Sequence, residues 1–119
     1  MKVKIRSVID HGHADERIIF DVIDDTEIGD HLVFDTTYTS NGRISNKVRH
    51  SFWFPDQKVK RGDVVVLYTS KGTDTSSINR DNSTTWFFFW GLNSCVWNND
   101  GDCALLMHID EWVHHRVNV

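Results

Sequence analysis

The chain has 119 residues, the length of one domain, and its 39% hydrophobic and 25% charged residues are typical of a globular rather than a disordered protein. Its net charge of −4 disfavours a general nucleic-acid-binding protein, which is usually basic. No apolar run approaches the roughly 20 residues of a membrane-spanning helix, and the charged start is unlike a signal peptide. We therefore expect one domain over residues 1–119, cytoplasmic and without membrane contact.

Short alternating or β-branched segments follow one another along the chain and predict strands. They occupy residues 3–9, 17–23, 31–34, 36–39, 48–54, 64–68, 86–90, 95–97 and 103–109. Turn residues separate them, and no window shows the period of an amphipathic helix. The polar residues 69–85 predict a long loop. We therefore predict an all-β sandwich of about seven to nine strands, with no helix longer than about two turns.

A two-residue turn at Asp100-Gly101 is predicted between the last two strands, because a type I′ turn needs a positive φ at both central residues. In the resulting hairpin, Cys95 and Cys103 project from opposite faces, so both thiols are expected to be free. Trp97 and Leu105 are expected to fill the interior of the sandwich.

Three segments have the pattern of a known family. The first is Val96-Trp97-Asn98-Asn99-Asp100-Gly101-Asp102, which runs into an apolar strand. The second is Phe54-Pro55-Asp56, which is followed by a turn, a glycine and the apolar residues 64–69. The third is residues 28–34, although the tryptophan usual at this place is absent. Together they resemble the lamin-tail domain, an immunoglobulin-like β-sandwich of nuclear lamins and of bacterial proteins.

The resemblance implies an immunoglobulin-like sandwich that serves as a scaffold for interactions, with no catalytic residues to carry over. A coiled-coil rod, a nuclear-localisation run and a prenylation motif do not accompany it in this sequence. The chain therefore resembles a stand-alone prokaryotic lamin-tail-like domain rather than a lamin.

Five consecutive aromatic residues run from Trp86 to Trp90. Since successive residues of a strand face opposite sides, Trp86, Phe88 and Trp90 share one face, and Phe87 and Phe89 share the other. The outer of these faces is expected to be covered, by residues 112–119 or by a second subunit, or else to bind a ligand. The candidate aromatic contacts for a ligand or partner are Trp53, Trp86, Phe88 and Trp90.

Charge is unevenly placed along the chain. Residues 10–35 hold nine acidic side chains and one basic one, and residues 43–61 hold six basic side chains and one acidic one. This distribution is typical either of two solvated surfaces or of a dipolar molecule that associates with itself or with a phosphate-rich partner. The candidate basic contacts are Arg43, Lys47, Arg49, Lys58, Lys60 and Arg61.

The seven histidines include the clusters His11-Gly12-His13 and His114-His115, and two histidines on one strand face can bind zinc or nickel. The sequence fixes no third ligand, and residues 98–102 lack the glycine and glutamate of a calcium loop. We therefore predict no metal site and no cofactor.

A nucleophile elbow, a phosphate-binding loop and a dinucleotide fingerprint are all missing from the sequence, so an enzyme is not favoured. We predict a non-catalytic interaction module that binds an unidentified protein partner or a second copy of itself. Two alternatives remain open. One is a metal-dependent hydrolase that uses the clustered histidines, and the other is a nucleic-acid-binding protein that uses the basic segment 43–61.

Overall fold

The computed structural model describes residues 1–39, 41–97 and 101–117, and within these ranges the chain is almost entirely β. The ten strands are β1 (Val3–Ile9), β2 (Arg17–Val22), β3 (Thr26–Glu27), β4 (His31–Thr37), β5 (Ser51–Trp53), β6 (Lys58–Val59), β7 (Val64–Tyr68), β8 (Thr75–Ile78), β9 (Thr84–Phe89) and β10 (Asp102–His108). Within the same ranges, the only helical element is a 3-10 turn at Ile28–Asp30. The predicted all-β sandwich is confirmed, with ten strands in the described residues where seven to nine were predicted.

The strands form three sheets. The five-stranded sheet has the order β1-β2-β7-β9-β8, the three-stranded sheet has the order β10-β4-β5, and β3 pairs with β6 in a short ribbon. Neighbouring strands are antiparallel except β7 and β9, which run parallel because β8 lies between them in the sequence and reverses the chain. In the part of the chain described, no helix is long and apolar enough to cross a membrane.

The core lies between the two larger sheets. Alternate residues of β2 and β7 supply its centre, where Ile18, Phe20, Val65 and Leu67 are completely buried. Val33 of β4 is also completely buried and belongs to the same cluster, so the three-stranded sheet closes the sandwich from the other side. The parity of these residues fixes which side chains of each strand face inward and which face outward.

A β-bulge between Ile5 and Ser7 breaks the alternation that the sequence predicts for β1. Ile5 and Val8 both pack against the core, although strict alternation places them on opposite faces. Arg6, the extra residue, forms an ion pair with Asp21 of the neighbouring strand. After the bulge, the residues that face the core are therefore the even-numbered ones instead of the odd-numbered ones.

The loop predicted at residues 69–85 is wrong in its second half, because β8 lies within it. All four residues of β8 are exposed, which explains why the segment has the composition of a loop. The turn after β8 is closed by the Asn79 N–H, which donates to the Ser83 carbonyl, and by the Ser83 N–H, which donates to Asp81. A polar edge strand and a loop therefore differ here only in backbone pairing.

The predicted hairpin between residues 95–97 and 103–109 is also wrong in the described part of the chain. β10 pairs with β4, and residues 95–97 do not form a strand. The backbone N–H groups of Val96 and Trp97 donate instead to the buried carboxylate of Glu16, at 2.7 and 3.1 Å. Residues 98–100, which include the first half of the predicted turn, lie outside the described residues.

The two strands of the predicted hairpin nevertheless supply core residues. Trp97 is buried, as expected, but Leu106 packs against the core in place of Leu105, because pairing with β4 sets the faces of β10. Cys95 and Cys103 are free thiols. Burial raises the pKa of the Cys103 thiol, and the nearby Asp102 acts in the same direction.

The predicted division of the aromatic strand into two faces agrees with the structure, since Phe88 is in the core and Trp86 and Trp90 pack against it. Phe89 lies on the outer side, where it stacks on Tyr68 with ring centroids 5.1 Å apart. The described part of residues 112–119 begins on the other sheet, where Trp112 packs against Trp53, so the expected cover by this segment is not observed, and cover by a second subunit stays a prediction. Gly72 lies against the Phe89 ring so closely that a Cβ at this position would clash with it.

Candidate interaction surface

The structure separates the four candidate aromatic contacts. Trp86, Phe88 and Trp90 face the interior, where Phe88 is only 5% exposed. Trp53 lies on the opposite sheet, faces outward and is 48% exposed. Of these four residues, only Trp53 therefore presents a large part of its side chain to solvent.

Trp53 belongs to an apolar surface that the sequence analysis did not identify. Leu32 pairs with Trp53 on one side and with Met107 on the other, which places the three side chains in one row across the sheet. Phe34 and Leu105 form the next row on the same side. Val33 and Leu106 have the opposite parity and face the core, so these two rows face outward. We call Leu32, Phe34, Trp53, Leu105 and Met107 the outer apolar face.

One end of the outer apolar face is fixed in place by contacts of Trp53. Its indole N–H donates to the Gly29 carbonyl at 2.6 Å, which ties the ring to the 3-10 turn. Trp112 then packs against the Trp53 ring edge-on, with the centroids 5.2 Å apart. Trp112 is itself 60% exposed and extends the apolar surface beyond the sheet.

Acidic side chains border this end of the outer apolar face. The Ile109 N–H donates to the Asp30 carbonyl, which brings the segment after β10 beside the 3-10 turn. Asp30, Asp110 and Glu111 are all exposed at this junction. The surface thus combines aromatic and aliphatic side chains with a negatively charged rim.

Arg49, one of the six candidate basic contacts, is held by intramolecular ion pairs. Its Nε lies 2.9 Å from the buried carboxylate of Asp35, and its terminal nitrogen lies 3.0 Å from Asp102. The same Asp35 carboxylate accepts from the backbone N–H of His50 at 2.6 Å and contacts the His50 imidazole at 2.9 Å. These contacts connect β4 to the segment before β5 and to β10.

The other five basic residues do not form one patch. Arg43 and Lys47 are exposed in the segment between β4 and β5. Lys58 pairs with Glu27 across the short ribbon, and the Arg61 N–H donates to Asp25. Lys60, next to the ribbon, is also exposed. The predicted basic segment is therefore divided between two places, and acidic residues lie beside Arg49 in one and beside Lys58 and Arg61 in the other.

Two buried carboxylates, which the sequence analysis did not single out, organise the backbone. Glu16 accepts from Gly12, Val96 and Trp97, and it is completely buried. Asp63 accepts from the Trp86 indole and from two backbone N–H groups. Burial acts to raise the pKa of Asp63, but these hydrogen bonds outweigh it and hold the pKa below its ordinary value. Neither residue stands in a sequence motif, because their partners are mostly backbone groups far along the chain.

The histidine clusters do not assemble a metal centre in the part of the chain that is described. In these ranges no group of three or more His, Cys, Asp or Glu side chains is arranged to hold a metal ion. His13 lines a small cleft with Cys95, and His11 lines a different cleft, beside the start of β10. His114 and His115 are exposed near the C-terminus.

Comparison with known proteins does not assign the chain to a family. No protein-family model matches the chain, and the search of curated proteins finds no match.

Proposed function

We propose that this chain is a non-catalytic protein-interaction module, a cytoplasmic domain of the lamin-tail-like, immunoglobulin-like type, and that it binds through the outer apolar face. One observation carries the proposal. Three large apolar side chains, Trp53, Met107 and Trp112, are 48%, 46% and 60% exposed around one sheet. Burying an aromatic or aliphatic side chain of this size is worth about 1.5–3 kcal/mol, so a contiguous group of them favours a bound partner.

The rim indicates the chemistry of that partner. Asp30, Asp110 and Glu111 surround the Trp53 end of the face with negative charge. A partner segment that carries apolar side chains flanked by lysine or arginine complements both features. The resemblance to the lamin-tail domain supports the same function class, since that domain serves as an interaction scaffold.

Peptide binding followed by two-dimensional NMR tests this proposal. An apolar peptide flanked by lysines is expected to shift the resonances of the outer apolar face, and the same peptide with glutamates in place of the lysines is expected to bind much more weakly. The double variant Trp53→Ser/Met107→Ser should lose this binding. The matched control is Ile78→Ser, which removes a side chain that is 78% exposed but lies on the other sheet.

Two results would contradict the proposal. One is a double variant that binds the basic peptide as tightly as the wild-type chain does. The other is a preference for the acidic peptide, since this would mean that the rim does not select the partner.

A further inference from the structure

We propose that the cleft between β1 and β10 binds a small neutral ligand, and that a carbonyl oxygen of this ligand accepts a hydrogen bond from the indole N–H of Trp97. The cleft lies between edges of the two larger sheets and not on the outer apolar face. The ligand site and the proposed peptide binding are therefore independent of each other.

The cleft lies where the two larger sheets meet without pairing. β1 is an edge strand of the five-stranded sheet, and β10 is an edge strand of the three-stranded sheet. Val8 and His11 line the cleft on the side of β1, Cys103 and Ala104 line it on the side of β10, and Trp97 also lines it. Its volume of about 240 Å³ is below the roughly 300–1,000 Å³ of sites for drug-sized ligands, so it suits a compact molecule.

Trp97 brings to this cleft a hydrogen-bond donor that the described residues do not satisfy. The residue is 4% exposed, and its Nε1 has no hydrogen-bond partner among the residues that the structure describes. By contrast, the Trp53 indole donates to the Gly29 carbonyl at 2.6 Å, and the Trp86 indole donates to the Asp63 carboxylate at 3.0 Å. A buried N–H without an acceptor destabilises the folded chain, and a ligand oxygen in the cleft removes this cost.

The position of Trp97 is fixed before any ligand binds. Its backbone N–H donates to the buried carboxylate of Glu16 at 3.1 Å, and its ring packs against the Trp90 ring with the centroids 6.0 Å apart. Val8 and Ala104 pack against the core and give the cleft an apolar part. Because these groups are already ordered, a ligand gains the hydrogen bond and the apolar contacts at little entropic cost.

The charges at the cleft favour a neutral ligand over an anion. Asp102 lines the cleft, and its carboxylate is ion-paired with Arg49 at 3.0 Å. Arg49 also binds the buried carboxylate of Asp35 at 2.9 Å, so one guanidinium is shared by two carboxylates. The Asp35 carboxylate contacts the His50 imidazole as well. An anion in the cleft meets this negative charge, whereas the carbonyl of an amide or a ketone accepts a hydrogen bond without carrying a charge.

Titration with benzamide, followed by ¹⁵N NMR, tests the site. Benzamide is compact and joins one carbonyl group to an apolar ring. It is expected to move the indole N–H resonance of Trp97 downfield, as a new hydrogen bond does, with a dissociation constant on the order of millimolar for so small a probe. Benzoate has nearly the same shape but carries a negative charge, and it is expected to bind more weakly.

Two tryptophan variants test the donor. Trp97→Phe keeps an aromatic ring but removes the N–H, and it also assigns the indole resonance of Trp97. Its affinity for benzamide, read from the backbone resonances of Val8 and Ala104, should be roughly 3- to 10-fold lower than that of the wild type. Trp112→Phe makes the same exchange at a position that is 60% exposed on the other side of the three-stranded sheet, and it should bind benzamide as the wild type does.

Four outcomes would overturn the proposal. The first is an indole resonance of Trp97 that does not move up to saturating benzamide. The second is a folded Trp97→Phe variant with the affinity of the wild type. The third is a response confined to Trp53 and Trp112, because the probe would then bind the outer apolar face. The fourth is benzoate that binds more tightly than benzamide, because the site would then select an anion.

Discussion

Glu16 is a single side chain that connects two distant parts of the chain. Its carboxylate accepts from Gly12 at 2.8 Å and from Val96 and Trp97, and no part of the residue is exposed. A buried carboxylate that receives several backbone N–H groups is well compensated, whereas the loss of the charge leaves these donors with weaker acceptors. The geometry of residues 96 and 97 therefore depends on one residue that is far away in the sequence.

We expect Glu16→Gln to reduce the free energy of unfolding by about 2–4 kcal/mol, because an amide offers one acceptor oxygen where the carboxylate offers two. Urea denaturation followed by tryptophan fluorescence measures the loss. Glu111→Gln removes an exposed carboxylate and serves as the control, with an expected change within about 0.5 kcal/mol. Equal stability of the two variants would show that the Glu16 contacts contribute little.

His31 makes the stability of the protein depend on pH. The residue is completely buried, its Nδ1 donates to the carbonyls of Glu27 and Ile28, and its Nε2 has no hydrogen-bond partner among the residues that the structure describes. Burial lowers the pKa of His31 below the ordinary 6.5, and the nearby His108 acts in the same direction. The neutral form is therefore the one that fits the folded chain.

As the pH falls below 6.5, the unfolded chain takes up a proton at His31 that the folded chain resists, so stability is expected to decrease toward the lower folded pKa. Urea unfolding midpoints measured between about pH 7.5 and pH 5 test this expectation. These limits lie roughly one unit or more on either side of the pKa of His31 in the unfolded chain. His31→Asn keeps a donor near the Nδ1 position but cannot titrate, so its midpoint should fall less over this range. The exposed His115→Asn variant should keep the wild-type dependence. An unchanged slope in His31→Asn would assign the effect to another histidine.

At the scale of the strands, β9 has aromatic side chains on both of its faces, one facing the core and one facing outward. Phe88 is 5% exposed and makes edge-on contact with Phe54 across the core, with the centroids 5.3 Å apart. Phe87 has the opposite parity and pairs with Val66 and Thr75 on the outer side of the sheet. The two residues have the same side chain and are adjacent in sequence, so a comparison of them isolates the effect of the face.

Phe88→Ala is expected to cost about 3–5 kcal/mol of unfolding free energy, the usual range for removing a core phenylalanine. Phe87→Ala should cost about half as much or less, because its ring lies outside the core cluster. Chemical denaturation of both variants gives the comparison. A larger loss for Phe87→Ala would mean that the outer side of this sheet is covered more completely than the chain alone provides.

The sequence predicts some elements well and others poorly, for physical reasons. β2 and β7 are rich in β-branched and aromatic residues, which favour strands, and their bounds agree closely with the prediction. β8 is missed because a solvent-exposed edge strand needs no apolar residues. Residues 95–97 are predicted as a strand because their side chains are apolar, and apolar composition indicates burial rather than backbone conformation. The local sequence does not show that the N–H groups of Val96 and Trp97 bond to Glu16.

The candidate surface was predictable to a smaller extent than the fold. Trp53 is conspicuous in the sequence, but the outer apolar face depends on the pairing of β10 with β4, which joins residues far apart in the chain. A tight hairpin was the simpler local alternative for β10, and it places Leu105 inside. Because the sequence predicted the wrong pairing partner for β10, it did not predict the outer apolar face.

At the scale of the whole molecule, the two charged segments lie beside each other rather than at opposite poles. Asp35 binds Arg49 at 2.9 Å, and Asp25 accepts from the Arg61 N–H at 2.8 Å. Glu27 and Lys58 pair across the ribbon. The Asp35–Arg49 ion pair neutralises its charges locally, and the backbone contacts place Asp25 and Glu27 close to the basic residues Arg61 and Lys58. Within the described residues, the positive charge of this segment is therefore interspersed with negative charge.

We therefore expect little binding of single-stranded DNA near physiological salt, measured by the fluorescence anisotropy of a labelled oligonucleotide. Asp35→Asn removes one of the carboxylates that hold Arg49 and should increase any residual binding at low salt. Phosphate binding by lysine and arginine has a steep salt dependence. Tight, strongly salt-dependent binding by the wild-type chain would contradict this expectation and favour the nucleic-acid alternative.

The position of β10 in the sequence has a consequence for biosynthesis. β4 is the central strand of its sheet, and a ribosome makes it early, but its neighbour β10 is the last strand described to leave the exit tunnel. Until then one side of β4 lacks a strand, and Glu16 lacks the N–H groups of Val96 and Trp97. Because contacts between distant segments form slowly, the nascent chain cannot close its sandwich before β10 has been synthesised. Until then the unpaired side of β4 is an edge that other chains can pair with.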